Sequence, residues 1–305
     1  MIHFVEQVLN GLQFGVMLFL MAAGLTLIFG IMNVINLAHG ALYMIGAYIA
    51  AATFAATGSF LLGLAAALVA AALLGVALEL ALFRTLYTRD HLDQVLATFG
   101  LILFFNELVR IVWGSTALYT RIPDFLGGRV EILPGSPYPV YRLAIIAVGL
   151  AVALLLYLLI ARTRLGMLIR AGASNRVVLG ALGVNVTLLY TLVFALGAAL
   201  AALAGVMAGP IFTVESGMGE SVLILAFVVI VIGGIGSIRG AFVAALAVGL
   251  VDATGRAYLR PLLGVFMSNA AAANAGPALA SMSIYILMAA VLFVRPQGLF
   301  PPRGR

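Results

Sequence analysis

Residues 7–78 read QVLNGLQFGVMLFLMAAGLTLIFGIMNVINLAHGALYMIGAYIAAATFAATGSFLLGLAAALVAAALLGVAL, and no Asp, Glu, Lys or Arg interrupts these 72 residues. A membrane-spanning helix needs about 20 apolar residues to cross roughly 30 Å of hydrocarbon, so this stretch alone has room for three. Ala, Leu and Gly dominate it and strand-like alternation is absent, which selects helices over an outer-membrane barrel.

Outward from that stretch the pattern continues. Nine apolar segments stand at about 8–30, 37–56, 60–83, 94–113, 141–161, 186–209, 221–238, 240–260 and 277–295. They predict an all-α, polytopic membrane bundle of about 8–9 transmembrane helices, some of them broken, with residues 1–305 forming a single transmembrane domain. The connections carry turn chemistry, as in Thr57-Gly58-Ser59 and the Pro- and Gly-rich run from Pro123 to Pro139. Composition agrees: 65% of the 305 residues are hydrophobic and 9% charged, against about 25% charged in soluble domains.

All 16 basic residues are Arg, and the net charge is +6. They sit between apolar runs rather than along a polar face, which reads as membrane orientation and not as nucleic-acid binding. Placing Arg162, Arg164, Arg170 and Arg176 in the cytoplasm puts the N-terminus outside and the C-terminus inside. The inner side then holds these four with Arg84, Arg89, Arg239, Arg295, Arg303 and Arg305, and the outer side the other six. The chain has no Cys, so disulfides, thiolate metal sites and cysteine nucleophiles are excluded. A signal peptide is not expected, since the first Arg is Arg84 and the first apolar run is long enough to span.

Three stretches break the apolar pattern. The first is Gly30 to Gly40, where Asn33, Asn36 and His39 enter. Irregular backbone at membrane depth survives only buried in protein or lining a cavity. Asn36 is placed to cap the next helix, whose N-terminus would offer free N–H groups to an anion. The competing reading is a short turn in water between two full helices. The second stretch is Arg164–Asn185, amphipathic and basic. It reads as a helix on the membrane surface or one docking into a partner's groove, and its length favours docking. The third is Gly233-Gly234-Ile235-Gly236-Ser237-Ile238-Arg239-Gly240, which repeats the first plan of apolar run, Gly-rich break and new helix. Paired interruptions of this kind point to a transporter site between repeats. A phosphate-cradling G-x-x-x-x-G-K-[ST] loop is impossible without Lys, so ATP would be hydrolysed elsewhere. Among isolated charges, Glu107 and Arg110 are spaced to pair, while Glu79 and Asp252 lie near predicted helix ends where they can reach water. An ion-coupled carrier would need one of those two carboxylates. No nucleophile set for a membrane hydrolase is present.

Together these stretches resemble the branched-chain amino-acid ABC transporter permeases of the LivH type, over nearly the whole chain. Gly24–Gly30 with Asn36–Tyr48 looks like the family's early motif. Arg164-Leu165-Gly166 to Gly183-Val184-Asn185 looks like its cytoplasmic coupling segment, and Gly233–Ser237 with Gly240-Ala241 is similar to its late motif. Arg239 stands where Pro is common, Ser174-Asn175 where a carboxylate is frequent, and Asp252 where Glu is more usual. The resemblance implies an ABC importer permease in the bacterial inner membrane. It implies a LivM-type second permease, two cytoplasmic ATPase subunits, an extracytoplasmic binding protein and no cofactor. Substrate-path candidates are then Asn33, Asn36, His39, Gly40, Tyr43, Gly233, Gly234, Gly236 and Ser237. ATPase-coupling candidates are Arg164, Gly166, Arg170, Asn175, Arg176 and Gly183. The same permease type is associated with urea and short amides, an alternative cargo.

Overall fold

A computed structural model describes residues 2–133 and 135–301. Arg303 and Arg305, counted above for orientation, lie outside that range. Eight of its helices are long and apolar enough to cross a membrane. They are α1 (Ile2–Met32), α2 (His39–Thr57), α3 (Phe60–Leu78), α5 (His91–Trp113), α6 (Val140–Arg162), α9 (Val186–Ala208), α11 (Ile238–Leu263) and α12 (Asn269–Val294). α3 runs through a π-turn at Glu79–Phe83 into the short α4 (Arg84–Leu86). α10 (Met218–Gly233) has 16 residues, about 24 Å of helix, and falls short of the hydrocarbon thickness. All nine predicted segments are therefore helical. Two surface helices, α7 (Arg164–Ser174) and α8 (Arg176–Ala181), fill the basic stretch.

α1 is the axis. From Val16 to Ile28 its residues are almost all buried, and it packs on α6, α9, α10 and α11. Small residues set these contacts. A methyl on Gly11 or Gly15 would meet the α11 backbone at Leu250 or Ala245, and one on Gly24 the carbonyl of Gly197 in α9. This is the close-packing logic of helices in lipid, where small residues let backbones approach.

Contacts also order the two ends. The Tyr190 hydroxyl donates to the carbonyl of Ile31 at 3.5 Å, near the end that carries α7 and α8. At that end Leu299 and Phe300 donate backbone N–H groups to Ile232 and Gly233. At the opposite end the Tyr141 hydroxyl donates to Met207 at 2.9 Å, and Leu118 pairs with Val214. There the long connection folds into an antiparallel hairpin, β1 (Arg129–Leu133) with β2 (Ser136–Pro139), pairing Val130 with Tyr138. Ser136 donates to Glu6 and Tyr138 to Asn10 (3.1 Å), tying the hairpin to the start of α1. Burial holds the Tyr138 phenol above its usual pKa, with Arg142 acting the other way.

Several sequence expectations shift. α12 begins at Asn269, before Pro277, which sits at the ninth position inside the helix and there gives up the backbone bond to the carbonyl four residues earlier. α10 starts at Met218 and ends at Gly233, since Gly234 adopts φ 101° and cannot continue the helix.

Candidate translocation site and coupling face

α2 does not start at the bundle's end. His39 lies against Gly24 of α1, eight residues before Met32 and so about 12 Å inside that helix end. Residues 33–38 climb back into the bundle as non-helical chain. Asn33 takes φ 54°, the one positive φ outside glycine among the described residues, and turns the chain. Val34 and Asn36 are fully buried, so the reading of this segment as a turn in water fails beyond Asn33. The expected cap fails as well: Ala38 occupies the N-cap position with no side-chain bond, and Asn36 caps nothing.

This break holds a concentration of unsatisfied polarity. Both amide atoms of Asn36 and both ring nitrogens of His39 are buried without a hydrogen-bond partner. The Met21 carbonyl stands beside the imidazole, but no bond of acceptable geometry forms. Buried polar atoms left unpaired each cost about 1–3 kcal/mol, so their presence needs a reason beyond packing. One outside residue steadies the segment. Gln94 accepts from the Ile35 N–H (3.3 Å) and donates to the carbonyls of Leu86 and Arg89, both at 3.2 Å.

The N-terminus of α10 meets that of α2 inside the bundle. A methyl on Gly219 would fall 2.0 Å from the Gly40 carbonyl oxygen, and one on Gly40 2.6 Å from that of Gly219. Tyr43, one turn along, packs its backbone on Gly205 of α9. Two broken helices thus begin side by side, the arrangement by which transporters aim N–H groups at a solute.

The second break lies nearer the α7–α8 end. Gly233 and Gly240 touch backbone to backbone, Gly234 with φ 101° packs under Phe300, and Gly236 with φ 85° sits on Gly30. The Ser237 hydroxyl accepts from the Gly240 N–H at 3.1 Å and caps α11. Gly236 and Ser237 line a cavity of about 1160 Å³ together with Thr26, whereas Asn36, His39 and Tyr43 do not reach it. The structure thus brings Gly30 to Gly236 but keeps the second break apart from the polar groups of the first.

Sequence comparison fits this architecture. A family model described as "Branched-chain amino acid transport system / permease component" matches residues 7–292. The chain belongs to this family. The permease is 34% identical to BraD, a high-affinity branched-chain amino-acid transport permease of Pseudomonas aeruginosa, over 83% of this chain and 86% of the relative. It is 30% identical to LivH of Escherichia coli K12, over 85% and 88%. An archaeal relative, a probable LivH of Methanocaldococcus jannaschii, is 28% identical over 81% and 80%. No solved structure matches.

At its α7–α8 end the permease presents the amphipathic α7 and the short, largely apolar α8. Thr163 caps α7 by accepting from Gly166 at 3.0 Å, and Asn175 caps α8 by accepting from Val177 and Val178, both at 3.1 Å. Gly166 is needed for approach, since a methyl there would stand 2.2 Å from the Leu159 carbonyl oxygen of α6. Gly183 ends the pair in the left-handed region at φ 83°. Arg164, Arg170 and Arg176 are all exposed, and Arg170 also lines the cavity. What the sequence reading missed here is apolar: Val177 and Leu182 are each 76% exposed and Val178 lies beside them. Their run between two capped polar turns was the available signal.

Other charges fall differently from expectation. Glu79 does not reach water. It is fully buried at the π-turn, accepting from Thr191 (2.7 Å), Tyr87 (3.1 Å) and Arg84 (3.3 Å). Burial, reinforced by the Glu79 carboxylate, raises the Tyr87 phenol above its usual pKa. Asp252 is buried too and pairs with Arg256 one turn on at 2.9 Å. Glu107 and Arg110 pair at 2.9 Å as their spacing predicts. Close by, Asn106 donates to Glu220 in the first turn of α10 at 2.7 Å. These last four side chains leave α5 and α10 with an exposed polar face beside the paired helix starts.

Proposed function

We propose that this chain is the membrane-spanning permease subunit of an ATP-driven importer of branched-chain amino acids in the cytoplasmic membrane. It would form one permease domain and work with a second, LivM-type permease, two cytoplasmic ATPase subunits and an extracytoplasmic binding protein. The branched-chain amino-acid transport for which BraD and LivH are named supports this cargo over urea or short amides. The observation that carries the reading is the broken start of α2, where Asn36 and His39 are buried and unpaired beside the α10 start.

In this reading the substrate carboxylate passes the N–H groups at the α2 start, favoured by the helix dipole. Asn36, His39 and Tyr43 supply donors, and Asn33 turns the chain at the inner mouth. The exposed Asn106–Glu220 and Glu107–Arg110 pairs front the aqueous path, since ionisable groups in a membrane span face water or protein rather than lipid. Gly40, Gly233, Gly234 and Gly236 let helix backbones slide against one another, with Ser237 fixing the start of α11. Arg164, Arg176 and the apolar Val177, Val178 and Leu182 dock in an ATPase groove, with Gly166, Asn175 and Gly183 shaping that surface. The α7–α8 end is then cytoplasmic and the hairpin end external.

The test is uptake of labelled leucine, valine and urea by vesicles holding the assembled importer. Leucine uptake that needs both ATP and this subunit supports the reading. Urea-only uptake corrects the cargo, and uptake by this chain alone on an ion gradient overturns the mechanism.

A further inference from the structure

The cavity of about 1160 Å³ lies on the far side of α1 from the α2 break, between α1, α6, α7 and α11. Its size exceeds the roughly 300–1,000 Å³ of typical small-molecule sites. The floor and walls are apolar, with Phe19 and Leu27 from α1, Leu156 from α6 and Phe242 from α11. Two guanidinium groups, Arg170 and Arg239, line it and no carboxylate does. Neither arginine forms an ion pair among the described residues. Arg239 instead lies over the Tyr157 ring, 5.2 Å from its centroid.

Depth is informative. Arg239 lies three residues beyond Gly236, which packs on Gly30, and Arg170 lies two residues before Gly172, which stands beside Ile31 near the end of α1; Phe19 lines the deep wall. Eleven residues of α1 separate Gly30 from Phe19, about 16 Å and close to half of a 30 Å hydrocarbon core. The cavity therefore spans one leaflet, from headgroup to chain end. It opens sideways, because α6 and α11 make few contacts with each other while Tyr157 and Val243 on its rim are exposed.

We propose that this cavity binds one anionic phospholipid, its phosphate held between Arg170 and Arg239 and its acyl chains against α1, α6 and α11. Both side chains are exposed and have no protein acceptor among the described residues; a charged phosphate supplies one to each, and basic pockets between transmembrane helices recognise such headgroups. A zwitterionic amino acid would leave most of the apolar wall bare. A helix of a partner subunit would bury two unpaired arginines.

The experiment uses the assembled importer, purified in detergent with phosphatidylcholine and phosphatidylglycerol, then washed with detergent and analysed by native mass spectrometry. Phosphatidylglycerol is expected to stay bound through the wash. Arg170→Gln with Arg239→Gln lowers its retention about tenfold or more, the ratio expected from losing at least one charge-assisted hydrogen bond. Arg162→Gln, at the same end but outside the cavity, leaves it unchanged. Ala153→Trp, which fills the apolar wall and spares both arginines, lowers retention too, and inorganic phosphate does not displace the lipid. Gel filtration and a melting curve check each variant, and Arg239→Gln alone replaces the double change if that unfolds. Equal retention in wild type and arginine variants overturns the proposal. So does displacement by inorganic phosphate, retention unaffected by Ala153→Trp, or a cavity occupied by a partner helix. The readout needs no transport, so its failure leaves the importer reading standing.

Discussion

Replacing His39 by Leu should leave the permease as stable as before, or more so, while removing most of its transport. The imidazole is fully buried and neither ring nitrogen has a partner. An unpaired buried polar group costs about 1–3 kcal/mol, and a swap of similar volume in a packed core costs less than about 1.5 kcal/mol. The two terms nearly cancel or favour Leu, so the melting temperature of the purified importer should hold or rise. If the ring gives one hydrogen bond to the passing carboxylate, worth about 1.5–3 kcal/mol for a charged acceptor, uptake should fall roughly 10- to 150-fold. His39→Gln, which keeps a donor, should recover part of that loss. The assay pairs thermal unfolding with ATP-driven leucine uptake in vesicles. Two results would refute the reasoning: uptake at the wild-type rate, or a melting temperature that drops in step with uptake, which would make His39 a packing residue.

Gly219→Ala would place a methyl 2.0 Å from the Gly40 carbonyl oxygen, forcing the α2 and α10 starts apart; a loss of about 1–3 kcal/mol should show in melting, together with reduced uptake. Glu79→Ala strips three donors of their acceptor and should destabilise by about 1–3 kcal/mol, whereas Glu79→Gln, which can still accept from Thr191, should lose less in the same melting assay. Val178→Asp with Leu182→Asp should leave the melting curve within about 0.5 kcal/mol, as surface changes do, yet abolish co-purification of the ATPase subunits. Asn175→Ala removes the cap of α8 and should cost about 1 kcal/mol, seen as faster amide exchange in residues 176–181.

The nine helices were legible because apolar length is a coarse and strong signal. Their ends were less so. Pro277 halted the reading of α12 early, and the π-turn that carries α3 on to Leu86 has no signature in hydropathy. The paired breaks were visible as polar and glycine-rich interruptions. Their depth was not, because nothing in the local sequence says that His39 lies beside Gly24 rather than at the surface. Asn36 misled for a related reason: its residue type suits a cap, but the N-cap position falls two residues later, at Ala38. Glu79 was read as reaching water since its acceptor role depends on Thr191, more than a hundred positions away. Gln94, which holds the break through Ile35 at 59 positions' separation, was hidden in the same way.

Leucine uptake by vesicles holding the full importer, measured with and without ATP and with and without this subunit, tests the central claim most directly. The account predicts uptake only when both ATP and this chain are present. Uptake by the subunit alone, or uptake by the remaining components without it, would contradict the account.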